Sequence, residues 1–396
     1  MSNPTKRKLL IVNNNLHIGG VQKSLLNLLY EIKSEYDVTL FLFANIGEYK
    51  RDVPEDITVV EAKFPLSVLG MSLAETKQRG LSYLLTRLFF VAVTRVFNSH
   101  IAISAAVLLS QRLAGYDYAI SYLQPAEEKI LYGGTNEFVL KNVQAKDKIA
   151  FVHCDYANYG GSAYRAKKIY RNFNKIVFCS NGCRDSFISL ISAYKDKSYV
   201  VYNSHNANSI TELAALNPAR YDHKLYNIVL VSRLTYAKGI DTAIDVIDLY
   251  GKKYDDRIHL HIVGDGKNAS DFKQLVHKLG LESMISFYGN QENPYGYIAG
   301  ADLLLLTSHH EAAPMVFGEA QILNTPILTT ETISADELVA KANAGWVCSN
   351  SARSIVESLH AIIADAAGGR STMRRVLCGH SDKVGAAQFY SMLRAK

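Results

Sequence analysis

The sequence predicts an α/β protein built from two doubly wound parallel-sheet domains, and length and periodicity are the observations that predict it. At 396 residues the chain is too long for one compact core and about right for two. Apolar runs of strand length alternate with amphipathic segments of helix length from one end to the other, the pattern of parallel sheets flanked by helices. The alternation lapses once, from Ala207 to Tyr226 around Asn217-Pro218, which reads as a linker. The expected domains are therefore 1–205 and 225–380, followed by 381–396 with a helical pattern from about Lys383 to Arg394.

In the first half the expected strands are Lys8–Asn13, Asp37–Phe43, Ile57–Glu61, Asp117–Ser121, Lys148–His153, Lys175–Cys179 and Ser198–Asn203, with the clearest helical pattern at Val21–Lys33. In the second half they are Asn227–Ser232, Ile258–Gly264, Met284–Gly289, Asp302–Thr307, Pro326–Thr330 and Gly345–Cys348. Two such domains facing across a cleft would collect ligands at the carboxyl ends of their strands.

Composition narrows the class. Nearly half of the residues are apolar and a fifth are charged, which excludes a disordered chain. Residues 1–205 hold 25 Lys and Arg against 17 Asp and Glu, while the remainder holds 18 against 20. That asymmetry points the first half toward an anionic partner, with an ordinary solvated face as the alternative. Cys154, Cys179, Cys183, Cys348 and Cys378 are odd in number and sit mostly in apolar runs, so they read as buried thiols of a reducing cytoplasm and not as a zinc site. The start of the chain reads as a first strand and not as a signal peptide, its apolar run ending at Asn13. Segment 81–110 is the most membrane-like, yet Arg87, Arg95, Asn98 and His100 interrupt it too often for a span. It reads as one or two helices, buried or at an interface.

Glu311 and Glu319 bracket Ala-Ala-Pro-Met-Val-Phe-Gly directly after an apolar strand. Pro314 suits the first turn of a helix, which leaves Glu311 in the loop and Glu319 about one turn in. The N–H groups of Met315 and Val316 are then placed to hold a phosphate at the helix start, and a carboxylate beyond them can accept bonds from paired sugar hydroxyls. A second cluster, Ser232-Arg233-Leu-Thr-Tyr-Ala-Lys238-Gly239, also follows a strand. Two cations there can neutralise a diphosphate and stabilise it as a leaving group; taken alone they are a pair of surface cations. The Gly264-Asp265-Gly266 turn suits any nucleotide-binding sheet. No Asp-X-Asp triplet follows a strand, so no metal is expected, and the missing G-x-G-x-x-G loop argues against an NAD enzyme.

These residues resemble glycosyltransferase family 4 of the GT-B fold, and especially its bacterial capsule and exopolysaccharide members. The likeness rests on Arg233 and Lys238 at the diphosphate motif, Gly264-Asp265-Gly266 at the glycine turn and the pair Glu311 and Glu319. It implies that Glu311 contacts donor-sugar hydroxyls and Glu319 the nucleotide ribose. More loosely, Gly19-Gly20 matches the family's glycine pair after the first strand, where backbone approaches donor phosphates or acceptor, and His153 matches its cleft histidine near the donor sugar. Ala312-Ala313 and Ser232 depart from the usual pattern, so the sugar itself stays unspecified.

The resemblance implies a retaining, metal-independent transferase without cofactor. Its C-terminal domain would bind a nucleotide diphosphate sugar, most simply a UDP-hexose, its N-terminal domain a glycan or lipid-linked glycan acceptor, and its last helix would return to the N-terminal domain. No nucleic-acid partner is expected. Arg165, Lys167, Lys168 and Arg171, interleaved with Tyr164, Tyr170 and Phe173 and free of acids, suit an anionic membrane surface, which places the protein on the cytoplasmic face of the membrane; the alternative is a solvated helix face. Rival classes are a non-catalytic GT-B partner subunit, which would have lost the charged positions present here, and a GT-B epimerase or phosphorylase.

Overall fold

The structure, a computed structural model, describes residues 6–125, 129–158, 163–254, 257–376 and 384–395, with 366–376 described by backbone alone. Cys378 and residues 381–383 lie outside the described residues. The chain divides into two compact units, Met1–Ser204 with Lys383–Lys396, and His205–Asp382.

The first unit holds a seven-stranded parallel sheet of order β3-β2-β1-β4-β5-β6-β7. Its strands are β1 (Arg7–Asn13), β2 (Tyr36–Leu42), β3 (Thr58–Glu61), β4 (Leu113–Ser121), β5 (Val143–Val152), β6 (Lys175–Phe178) and β7 (Ser198–Val200). Leu9 and Ile11 of β1 pack against Leu25 and Leu29 of the helix Gly20–Ile32, all of them buried. The helix Val384–Arg394 belongs to this unit. Its last carbonyls are capped by a buried cation, because Lys175 Nζ donates to Met392 O at 2.8 Å and Ala395 O at 2.6 Å.

The second unit holds a six-stranded parallel sheet of order β10-β9-β8-β11-β12-β13. Its strands are β8 (Tyr226–Val231), β9 (Ile258–Val263), β10 (Ile285–Gly289), β11 (Leu303–Leu306), β12 (Ile327–Thr330) and β13 (Gly345–Cys348). Consecutive residues feed opposite cores: Ile228, Leu230, Leu303 and Leu305 enter one, Val229, Leu304 and Leu306 the other. A strand covered on both faces is apolar at every position, which is why these runs do not alternate. All thirteen strands lie where the sequence places them, with ends shifted by a few residues. Each sheet is doubly wound, so each unit is by itself a Rossmann-like α/β domain of the kind the sequence predicts.

One expectation needs correction. Residues 207–226 are not simply a linker, since Ala207–Leu216 is a helix of the second unit. Asn206 caps it by accepting from Ser209 N at 3.1 Å, and Ile210 and Ala214, four apart, supply its buried face. Segment 81–110 forms two helices as expected, Leu81–Val96 and Ser99–Leu108, and of the two placements expected for them, buried or at an interface, full burial does not hold for the first, much of which is open to solvent.

Candidate active site

In the second unit β8 leads to β9 and β10 on one side of the sheet, whereas β11, β12 and β13 extend on the other. The loops after β8 and β11 are therefore neighbours at the point where the winding reverses, the usual ligand position in such sheets. Two glycines let them meet. Gly239 adopts φ +63° and a Cβ there would overlap the carbonyl of Thr307, whose hydroxyl donates to Gly239 O at 2.7 Å. Gly264, at φ +138°, lies just as close to the carbonyl of Ser232 and brings the β9 loop alongside. Asp265 is exposed there and accepts from Gly266 N at 2.7 Å.

This packing brings Lys238 to Glu311. Lys238 does not open a helix but ends the short 3-10 turn Tyr236–Lys238, with Gly239 between it and the helix Ile240–Lys253. From there its Nζ meets Glu311 Oε1 at 2.5 Å, and Ser308 Oγ donates to the same oxygen at 2.7 Å. The Glu311 side chain is 10% exposed and that of Lys238 21%, so the pair is sheltered yet still open to a ligand. Arg233 lies two residues beyond β8, not at its end, and is exposed, its guanidinium without a hydrogen bond or ion pair among the described residues.

Pro314 is the N-cap and not the first helical residue of Met315–Ile322. Met315 and Val316 open that helix, where N–H groups have no partner within it. Glu319 follows in the second turn and is buried. Just behind the helix, His205 Nε2 bonds to Met315 O at 2.9 Å, and its ring lies where a Cβ on Gly318 would stand.

The first unit carries the other candidates. His153 follows β5 directly; its backbone N–H donates to Gln124 Oε1 at 3.2 Å, and its ring packs against Tyr122 and Phe151. Burial pushes its pKa down to about 4, against a smaller upward pull from a bond to the Tyr122 backbone, so the ring is neutral at pH 7. Its buried Nε2 has no hydrogen-bond partner among the described residues. Gly19 is the N-cap of Gly20–Ile32 and has an extended φ of −179°; a Cβ there would press on the movable end of the Gln22 side chain and on no backbone atom of another segment at closer range. Beside it, His17 sits between two carboxylates, with Nδ1 3.3 Å from Glu48 and Nε2 2.8 Å from Glu75.

The basic stretch divides differently from its sequence reading. Lys167, Lys168 and Arg171 are exposed and Arg165 is half-buried. Tyr170 and Phe173, expected to lie among them at a surface, are core residues, and only Tyr164 is open. Tyr170 faces inward on the helix Ala163–Tyr170, where it packs edge-on against Phe187.

The sequence reading missed Ser308, His205 and His17, and named Gly239 only as the end of its cluster, without the close approach it permits. Ser308 stands three residues before Glu311, a spacing that lets a hydroxyl reach back within one turn of chain. The other three act through partners distant in sequence and leave no local signal.

Residues 217–375 match the family described as glycosyl transferases group 1. That segment contains every second-unit site residue singled out from the sequence, and Ser308 and Gly239 as well, while His205 precedes it. Among curated proteins, an uncharacterized glycosyltransferase of Haemophilus influenzae is 28% identical over 183 residues, which are 45% of this chain and 52% of that protein. The lipopolysaccharide glucosyltransferase WaaG of Escherichia coli is 33% identical over 110 residues, 28% of this chain and 29% of WaaG. The chain thus spans about half the length of the first relative and under a third of the second. Among solved structures, Anabaena HepE in complex with UDP superposes with a TM-score of 0.66 at 16% identity, covering 98% of this chain and 97% of HepE. That likeness shows the fold.

Proposed function

We propose that the protein is a retaining glycosyltransferase of family 4 that moves a hexose from a nucleotide diphosphate donor, UDP-linked in the simplest case, to a glycan or lipid-linked glycan acceptor in the synthesis of a bacterial surface polysaccharide such as a capsule. The observation that carries the reading is the junction of Lys238, Glu311 and Ser308 at the winding reversal of the group 1 segment. Relatives named for lipopolysaccharide synthesis and a structural neighbour solved with UDP support it.

In this reading the second unit binds the donor. The opening N–H groups at Met315 and Val316 hold phosphate oxygens, Glu319 accepts from the ribose, and Gly264-Asp265 closes the nucleotide side. Glu311, held by Ser308 and Lys238, accepts from hydroxyls of the transferred sugar. Lys238 and Arg233 stabilise the charge that develops on the departing diphosphate, which removes the need for a metal. An oxygen of that diphosphate takes the proton of the attacking hydroxyl on the face it leaves, so the anomeric configuration is kept. The first unit serves the acceptor, with Gly19-Gly20 at the acceptor or donor phosphates and neutral His153 offering one hydrogen bond to the sugar. The enzyme works on the cytoplasmic face of the membrane, attracted to anionic headgroups by cations that include Lys167, Lys168 and Arg171.

The test is incubation with radiolabelled UDP-hexoses and a short soluble glycan. Release of UDP together with an α-linked product supports the reading. Binding of nucleotide sugars without transfer to any glycan, or conversion of the donor to its epimer, contradicts it.

A further inference from the structure

A helix apolar all round is ordinarily buried. Leu81–Val96 is apolar on nearly every side, and only one side is covered, by way of Phe90 and Thr94. The opposite side carries Leu81, Leu85, Leu88, Phe89 and Val96, from 47% to 70% exposed. Their spacing of four, three, one and seven residues keeps them on one stripe, roughly 22 Å long at 1.5 Å per residue. Phe97, Ile101, Leu108 and Leu109 extend it across the next helix, each about half exposed or more. A patch this size on a folded surface marks a contact.

Charge decides what the patch contacts. From residue 76 to residue 116 the chain has five Lys and Arg and no Asp or Glu. Arg79 pairs with Glu61, and Arg87 turns inward to Val68 O, but Lys77, Arg95 and Arg112 are exposed without an acidic partner among the described residues. Exposed Lys129 adds a cation beside Phe97, donating to its carbonyl at 2.8 Å; Glu127 and Glu128 lie outside the described residues. A symmetric contact between two copies would set these cations against themselves with no carboxylate from the same stretch to receive them. An anionic bilayer receives both the apolar stripe and its basic border. At 16 residues the helix is too short to span, and no helix among the described residues is long and apolar enough to cross a membrane.

We infer that the exposed face of Leu81–Val96 and Ser99–Leu108 docks the first unit on an anionic lipid surface, the apolar stripe entering the headgroup boundary and Lys77, Arg95 and Lys129 lying among the phosphates. This rests on the proposal that the enzyme works at a membrane, and it makes these helices the main anchor, with the exposed cations of 165–171 adding only a weaker electrostatic attraction.

Flotation of the full chain with phosphatidylcholine vesicles, with and without phosphatidylglycerol, tests it. The wild type should float with the anionic vesicles, less at high salt. Leu85→Ser with Phe89→Ser should lower partitioning about tenfold or more, since each removes an inserted side chain, and Lys77→Gln with Arg95→Gln should lower it several-fold. Turnover on a soluble acceptor should stay unchanged in both, and Phe97→Ser gives a second reading outside the helix. If these variants float like the wild type while Arg165, Lys167, Lys168 and Arg171 changed to Gln do not, the inference fails and membrane attachment stands. If the wild type does not float at low salt, both fail and glycosyl transfer is untouched. If the wild type is a dimer that Leu85→Ser with Phe89→Ser dissociates, the face is a self-contact and the inference is overturned.

Discussion

Lys238 Nζ stands 2.5 Å from Glu311 Oε1, so a cation contributed by the loop after β8 and a carboxylate contributed by the loop after β11 form one sheltered unit. Each orients the other, and substitutions at the two positions should not be independent. Lys238→Ala is expected to lower turnover by a factor on the order of hundreds, as for loss of a donor to developing charge. Glu311→Ala should lower turnover comparably while the affinity for UDP alone stays within about threefold, and the double variant should lose little more than the worse single one. Kinetics of the four proteins give the comparison; losses that multiply would separate the two roles.

Glu319 is assigned to the ribose, so Glu319→Ala should weaken UDP and UDP-sugar alike by about 1 to 3 kcal/mol, the cost of leaving a sugar hydroxyl without its acceptor. Calorimetric titration with both ligands measures this. A loss confined to the nucleotide sugar would move Glu319 to the transferred hexose.

Gly239 holds φ +63° against the Thr307 carbonyl, and any side chain there both strains the backbone and pushes the β8 and β11 loops apart. Gly239→Ala should therefore destabilise the fold by about 1 to 3 kcal/mol and depress turnover as well. Gly19→Ala, at an extended φ and against a movable Gln22 side chain, should leave the melting temperature within about two degrees. Melting curves of the two variants distinguish these cases.

The central strands were legible because both sheets are covered on two faces, so that stretches such as Leu9–Val12 and Leu303–Leu306 are buried and apolar at every position. Arg233, Lys238 and Glu311 were legible because they stand in the loops that follow such runs, and Glu319 because it lies in the helix that comes next. What escaped depends on contacts made only in the fold. His205 reaches Met315 from 110 residues away, and His17 reaches Glu48 and Glu75 from separate turns. The inward turn of Tyr170 and Phe173 was lost for a different reason: on the two-turn amphipathic helix Ala163–Tyr170 aromatics and cations mix in sequence but separate onto different faces, and Phe173 turns into the core just past its end. The helix Ala207–Leu216 did carry a signal, an Asn cap before apolar positions four apart, outweighed in reading by the nearby Asn-Pro.

Acid should destabilise the protein in a defined window. Burial lowers His153 to about 4 and His261 to about 3, the latter with a smaller contribution from His259. Both are neutral when folded, whereas the unfolded chain protonates them near pH 6.5, so below that pH the unfolded state binds more protons and stability falls with pH. Full stability is expected above about pH 6.5, with a progressive loss from there toward pH 3. Urea titrations at pH 7.5 and 5 should show the drop, and His261→Gln should flatten the slope. Equal stability at the two pH values would mean that the rings are not buried as described.

Titration of UDP and of UDP-hexoses into the protein in EDTA, for the wild type and for Lys238→Ala, tests the central claim most directly. The account predicts saturable binding of the nucleotide diphosphate without metal and a raised melting temperature for the wild type. It also predicts clearly weaker binding when Lys238 is removed. Binding of no nucleotide diphosphate, or binding that demands added magnesium or manganese and ignores Lys238, would contradict it.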